Sequence, residues 1–350
     1  MSPTVLVVGG YGAVGAPLCR DLASHGVHLA IGGRSPEKAA PLAAELGAEV
    51  RRIDVGTPGT WTDAVCGIDL VAMCIDLPGP DFPAFLLSHG IHYADITASD
   101  ALFRQIEALP RPARSSALLS VGLAPGLTNI LAARAAAGFD EVGRIDIGML
   151  FGLGDSHGEA GLDWMAEQIF SPARHRGGET LDFGPPWGRR AAHFVDFSDQ
   201  HSVTRSLPRT LVSTRIAFES RLATWALFGA ASLFPSSKLV KSAARKSFGA
   251  LRAGSATVNL SVHARGWRGG KREVVTARFL GEHESMTTAR LASLMLRRFL
   301  ADPMRPGIWH SHTRFDPDDI LDAVTRDRIG RIEHSAPQRD TIPEEDAMAA

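Results

Sequence analysis

Short apolar runs alternate with longer stretches of mixed polarity through the first 140 residues. Residues 5–8 are uniformly apolar, as a strand covered on both faces requires. A glycine-rich turn follows, then a helical stretch over 13–25. The alternation continues with strands at 27–31, 49–53, 69–75, 91–95 and 117–121. Helices are predicted over Pro36–Leu46, 61–65 and 82–88, with another before the strand at 117. Proline in the first turn marks the start of the second helix. Strands joined by crossover helices predict a parallel, doubly wound α/β sheet.

The pattern changes near Gly122. A helix over 127–137 leads to a longer strand at 142–151 and a helix at 159–170. Residues 209–219 alternate like a strand, and 258–265 with 273–280 read as a hairpin around the glycines at 266–270. Amphipathic helices are predicted over 286–300 and 316–324. This half reads as a second, α+β domain built on a mixed sheet. The expected division is 1–125 for the parallel-sheet domain and 126–305 for a substrate and dimerisation domain. A segment at 306–335 is expected to return to the first domain, and 336–350 to form a loose tail.

Composition narrows the function classes. Of 350 residues 45% are hydrophobic and 21% charged, which excludes a disordered chain. Basic and acidic residues balance, 37 against 38, so no nucleic-acid partner is expected. Lysine occurs only at Lys38, Lys238, Lys241, Lys246 and Lys271, so nearly all positive charge is arginine. Cys19, Cys66 and Cys74 are widely spaced and fit a reducing compartment. No leader is expected before the first strand, and no apolar run reaches the roughly 20 residues of a bilayer span. A cytoplasmic protein is expected. The apolar-then-basic stretch 222–246 reads first as a helical hairpin at a domain or dimer interface, with interfacial membrane contact as the alternative.

The chemistry-bearing motif is Gly10-Tyr11-Gly12-Ala13-Val14-Gly15, a G-x-G-x-x-G placed between strand and helix. Gly10 is expected to make the tight turn, Gly12 to let the backbone approach a pyrophosphate, and Gly15 to allow close helix–strand contact. Tyr11, Ala13 and Val14 complete this loop. The second strand ends in Gly32-Gly33-Arg34-Ser35, without the acid that holds the ribose of NAD. Arg34 and Ser35 suit a 2′-phosphate, so NADP is the expected cofactor. Asp54, ending the third strand, is assigned to the adenine side.

These residues resemble the saccharopine dehydrogenase-like family of NADP-binding oxidoreductases. The stretches Gly90–Thr97 (Gly-Ile-His-Tyr-Ala-Asp-Ile-Thr) and Val121–Asn129 (Val-Gly-Leu-Ala-Pro-Gly-Leu-Thr-Asn) extend the likeness over residues 4–160. The resemblance implies a Rossmann domain, a second domain that mediates homodimerisation, and NADPH-linked reduction of an imine in an amino-acid-like or polyamine-like small molecule. A related branch implies enoyl (C=C) reduction. Ala124 stands where the family's imine reductases carry aspartate, and Thr128-Asn129 replaces Asp-His, which points away from saccharopine itself.

Reduction of a C=N bond needs a proton source. Asp95 and Tyr93, on one side of the fifth strand, and His157, after the 142–151 strand, are the catalytic candidates. Asp76, ending the fourth strand, is placed with the cofactor residues. A serine hydrolase reading uses the nucleophile elbow Gly154-Asp155-Ser156-His157-Gly158 with Asp196, Asp199 and His201 as partners. Against it, Ser156 with Glu159 forms a capping box, S-x-x-E. A non-catalytic NADP-binding protein is the remaining alternative. No metal site is expected: His310, His312, Asp316, Asp318 and Asp319 read as a solvated loop before a helix with acidic first-turn residues.

Overall fold

A computed structural model describes residues 3–155, 169–170, 178–233, 254–302 and 305–340. The chain divides into two compact units, Met1–Asn129 with Ser285–Asp316, and Ile130–Glu284 with Pro317–Ala350.

The first unit is built on a seven-stranded sheet in the order β13-β6-β5-β4-β1-β2-β3. Its strands are β1 (Thr4–Val8), β2 (His28–Gly33), β3 (Glu49–Arg52), β4 (Leu70–Met73), β5 (His92–Asp95), β6 (Ser116–Leu119) and β13 (Gly307–His310). Every pairing is parallel. The sheet is the doubly wound arrangement that the alternation predicts. α1 (Gly15–Ser24) buries Gly15, Leu18, Cys19 and Leu22, a stripe at helical spacing against the sheet. α2 (Pro36–Leu46) ends at Gly47 with φ +64°, a left-handed C-terminal glycine. A second face is covered by a core containing Leu6, Val71, Phe82, Leu86, Phe103 and Ile106, drawn partly from α4 (Asp81–Ser88) and α5 (Asp100–Glu107). The strand order changes sides at β1: β2 and β3 are laid down on one flank of it and β4, β5 and β6 on the other. In open α/β sheets ligands bind outside the carboxyl ends of the strands at such a switch point.

The second unit carries a mixed sheet in the order β14-β12-β11-β7-β10-β9-β8, with β9 spanning Arg189–Val195 and β15 beside β12. Its long strands are β7 (Glu141–Phe151), β10 (Leu211–Phe218), β11 (Thr257–Arg268) and β12 (Lys271–Glu282). β7 and β10 pair in parallel, and β11 and β12 form the expected hairpin. The terminal strand β8 (Gly178–Asp182) turns back over the sheet. Asn259 and Ser261 donate to the carbonyls of Phe183 and Asp182, both at 2.8 Å. Gly148 permits this closure, because a Cβ there would stand 3.0 Å from Leu181 and Phe183.

The division of the chain differs from the boundaries read in the sequence. Helix Glu284–Ala301 lies almost wholly with the parallel-sheet unit; it buries Leu291, Met295 and Phe299, and the Phe299 ring meets His92 of β5 edge to face. Within 306–335, β13 joins the parallel sheet while β14 (Arg331–His334) pairs with β12. Gln338–Arg339, in the stretch read as a tail, forms β15. No helix among the described residues is long and apolar enough to cross a membrane. On helix Arg221–Leu233, Leu222 and Trp225 are exposed; residues 234–246 lie outside the described residues.

Candidate functional site

The glycine turn leaves β1 and enters α1 with the tolerances a phosphate cradle needs. Gly9, at φ +81°, turns the chain, a role the sequence reading gave to Gly10. Gly10 is required for space: a Cβ would lie 2.9 Å from the Val7 carbonyl oxygen and 3.1 Å from Cys19 Sγ. At Gly15 it would lie 2.2 Å from the Gly9 oxygen, whereas at Gly12 the only neighbour is that oxygen at 3.2 Å. Gly12 and Ala13 are exposed. Val14, the N-cap of α1, gives the first turn no side-chain hydrogen bond. The helix end thus presents amide donors to an anion.

Arg34 is exposed and Ser35 half-buried just past β2. Ser35 is the N-cap of α2 and makes no capping bond through its hydroxyl. Asp54 is engaged locally: its Oδ1 accepts the Gly56 amide at 3.0 Å, and its backbone is tied to Thr60 and Trp61. The residues present fit a dinucleotide: open glycine turn, uncapped helix, and no acid at the end of β2.

Tyr93 and Asp95 are brought together, both wholly buried at the end of β5. Tyr93 Oη donates to Asp95 Oδ2 at 2.5 Å. The Thr97 amide donates to Oδ1 at 2.7 Å, and the Thr97 hydroxyl donates to the same oxygen. Burial pushes the Asp95 carboxyl above its ordinary range, against the hydrogen bonds from Thr97 and Tyr93. Asp76, exposed after β4, adds to the rise through its charge. Burial and then the Asp95 charge push the Tyr93 phenol well up. Asn129 Oδ1 accepts the Gly126 amide at 2.9 Å and so holds the turn between β6 and the following helix.

His157, Ser156 and Glu159 lie outside the described residues. Asp155 is described and caps helix Glu284–Ala301, its Oδ2 accepting the Glu284 amide at 2.6 Å.

Two clusters escaped the sequence reading. His310 is not in a solvated loop. It ends β13, and its ring lies between Ser120 Oγ, 2.8 Å from Nδ1, and Glu107 Oε1, 2.6 Å from Nε2. Ser120 is a non-glycine residue at φ +56°. In the second unit, buried Asp146 accepts from Arg144 at 3.0 Å, Arg215 at 2.9 Å and Ser213 at 3.0 Å, and also from Arg265. Glu179 accepts from Arg144 and Arg215. Burial opposes the Asp146 charge, but Arg144, Arg265 and Arg215 outweigh it and hold the carboxyl below its usual range. Alternating polar positions within apolar strands (Arg144 and Asp146, Ser213 and Arg215, His263 and Arg265) are the signal that exposes this polar inner face.

The fold is that of a two-domain protein with a Rossmann-type parallel sheet and a separate mixed-sheet domain. It is similar to the saccharopine dehydrogenase (L-Glu forming) of Saccharomyces cerevisiae, with TM-score 0.64 and 13% identity over 96% of this chain and 100% of that one. The family resemblance drawn from the sequence motifs is thus matched by a shared fold. C. glutamicum DAP dehydrogenase in complex with DAP aligns at TM-score 0.49 and 16% identity, covering 93% of this chain and 98% of that one. No family model and no curated protein matches the sequence.

Proposed function

We propose that the chain is an NADPH-dependent oxidoreductase that reduces a C=N bond in an amino-acid-like or polyamine-like small molecule. The observation that carries this reading is the pairing of an open glycine turn and uncapped α1 with a β2 end that lacks an acid. The shared fold with saccharopine dehydrogenase supports the same class.

Gly10, Tyr11, Gly12, Ala13, Val14 and Gly15 hold the pyrophosphate, and Arg34 and Ser35 take the 2′-phosphate. Asp54 and Asp76 border the nucleotide. When bound, NADPH supplies the hydride. Reduction then needs one proton on the substrate nitrogen, and His157 is the group proposed to deliver it. Asp95 and Tyr93 act through Thr97, since both carboxyl oxygens of Asp95 are already occupied. A homodimer in the cytoplasm completes the reading, with the mixed-sheet domain shaping the substrate pocket.

The test is a fluorescence titration with NADPH and NADH side by side, followed by NADPH oxidation with pairs of 2-oxo acids and amines. Tight, NADPH-selective binding with turnover is the expected result. Binding of neither nucleotide would overturn the reading.

A further inference from the structure

Paired residues on adjacent parallel strands present their side chains to the same face of a sheet. Gly33 of β2 pairs with Arg52 of β3, and Gly32 with Arg51. The two faces are identified by what a Cβ would meet. At Gly32 it would meet Leu6 and Ile53, at 3.0 and 3.1 Å. Arg51 follows that face: it donates to the Asp63 carbonyl and pairs with Glu49. At Gly33 a Cβ would stand 2.5 Å from both Cε1 and Oη of Tyr11. The Tyr11 ring therefore covers the last residue of β2, the place from which the ribose-binding acid of an NAD site would rise.

Arg52 lies on this Tyr11 face and is exposed. Among the described residues, no hydrogen bond or ion pair engages the side chains of Tyr11, Arg34, Ser35 or Arg52. Two uncommitted guanidinium groups and two uncommitted hydroxyls thus gather at the ends of β2 and β3. Guanidinium is well suited to phosphate because it offers parallel N–H donors and a full charge.

We propose that Tyr11 and Arg52 set the cofactor preference, Tyr11 by occupying the space an acid at position 33 would need and Arg52 by joining Arg34 and Ser35 on the 2′-phosphate of NADPH. The inference rests on the dinucleotide reading above and adds the residues that decide which dinucleotide is held. Charge on an edge strand also discourages pairing with another sheet; that role is indifferent to a 2′-phosphate, which separates the two.

The experiment uses the full chain and two nucleotide pairs, NADPH against NADH and adenosine 2′,5′-bisphosphate against 5′-AMP. Arg52→Gln should weaken the 2′-phosphorylated member of each pair roughly tenfold and leave the other within about twofold, with Arg52→Lys recovering part of the loss. Gly33→Asp alone should bind both members poorly, because its side chain meets Tyr11. Adding Tyr11→Ala to Gly33→Asp should restore binding with NADH now preferred. Thermal melts establish that each variant is folded. If Arg52→Gln affects both members equally or neither, while Arg34→Ala is selective, the proposal fails and the dinucleotide reading stands. If the wild-type chain binds no nucleotide, both fall.

Discussion

Ser120 and His310 are 190 positions apart in the chain, yet the Oγ of one lies 2.8 Å from the Nδ1 of the other. The other ring nitrogen, Nε2, lies 2.6 Å from Glu107 Oε1, so both nitrogens of the imidazole have a polar partner. The residue that follows β6, the end of β13 and the end of α5 are thereby joined at one imidazole. His310→Ala should cost about 2 kcal/mol, since it leaves two polar groups without their partner. Glu107→Gln, which keeps an acceptor, should cost less than about 1 kcal/mol. Urea unfolding of the two variants checks the order; equal losses would show that the ring's packing dominates.

The glycine turn predicts a separation of stability from binding. Gly15→Ala drives a Cβ into the Gly9 carbonyl, so its melting point should fall, with a loss of about 1–3 kcal/mol from overpacking. Gly12→Val should melt like the wild type and lose nucleotide binding. Melting curves paired with NADPH titrations decide this, and a Gly12→Val chain that binds normally would remove the phosphate role.

Asp146 balances three guanidinium groups in a buried place. Asp146→Asn should destabilise the second unit by about 3–5 kcal/mol, because the arginines are left uncompensated. Glu179→Gln should cost less, its carboxylate being partly solvated. Denaturant midpoints of the two variants provide the comparison.

His263, held between Ser261 and Thr276 at 3.1 and 3.0 Å, gives stability a pH dependence. Burial, with Arg265 adding to it, pushes its pKa from 6.5 down to about 4. In the unfolded chain the ring takes a proton below 6.5, while in the fold it stays neutral until about 4. Its contribution is full above 6.5 and is lost as the pH falls through that window, amounting to about 3 kcal/mol at most. His263→Gln should flatten the slope of unfolding free energy between those limits. An unchanged slope would place the titration elsewhere.

The parallel sheet was legible because β1, β2 and β4 are short apolar runs buried on both faces, whereas β3 (Glu-Val-Arg-Arg) is an exposed edge strand readable only from its place in the alternation. β13 was not: Gly307-Ile308-Trp309-His310 is short and lies between a proline and a polar turn, and only its pairing with β6 makes it a strand. The glycine turn was readable as a motif, but the positive φ falls on Gly9, which the motif does not name. The Asp146 cluster draws on residues 144, 146, 179, 213, 215 and 265, and periodicity along one strand cannot say which distant charges meet. Tyr93 and Asp95 share a strand face two residues apart, so their contact could be anticipated from sequence, whereas their complete burial could not.

The first unit is interrupted by the second: its sheet gains β13 and its core gains helix Glu284–Ala301 only after residues 130–284 have been made. On the ribosome, β6 therefore emerges as an open edge and stays one while the whole mixed-sheet unit is synthesised. An open edge offers unpaired backbone groups to other chains. A nascent chain that stops before β13 carries a nearly complete parallel sheet with an exposed flank, and that flank distinguishes a truncated product from a finished one.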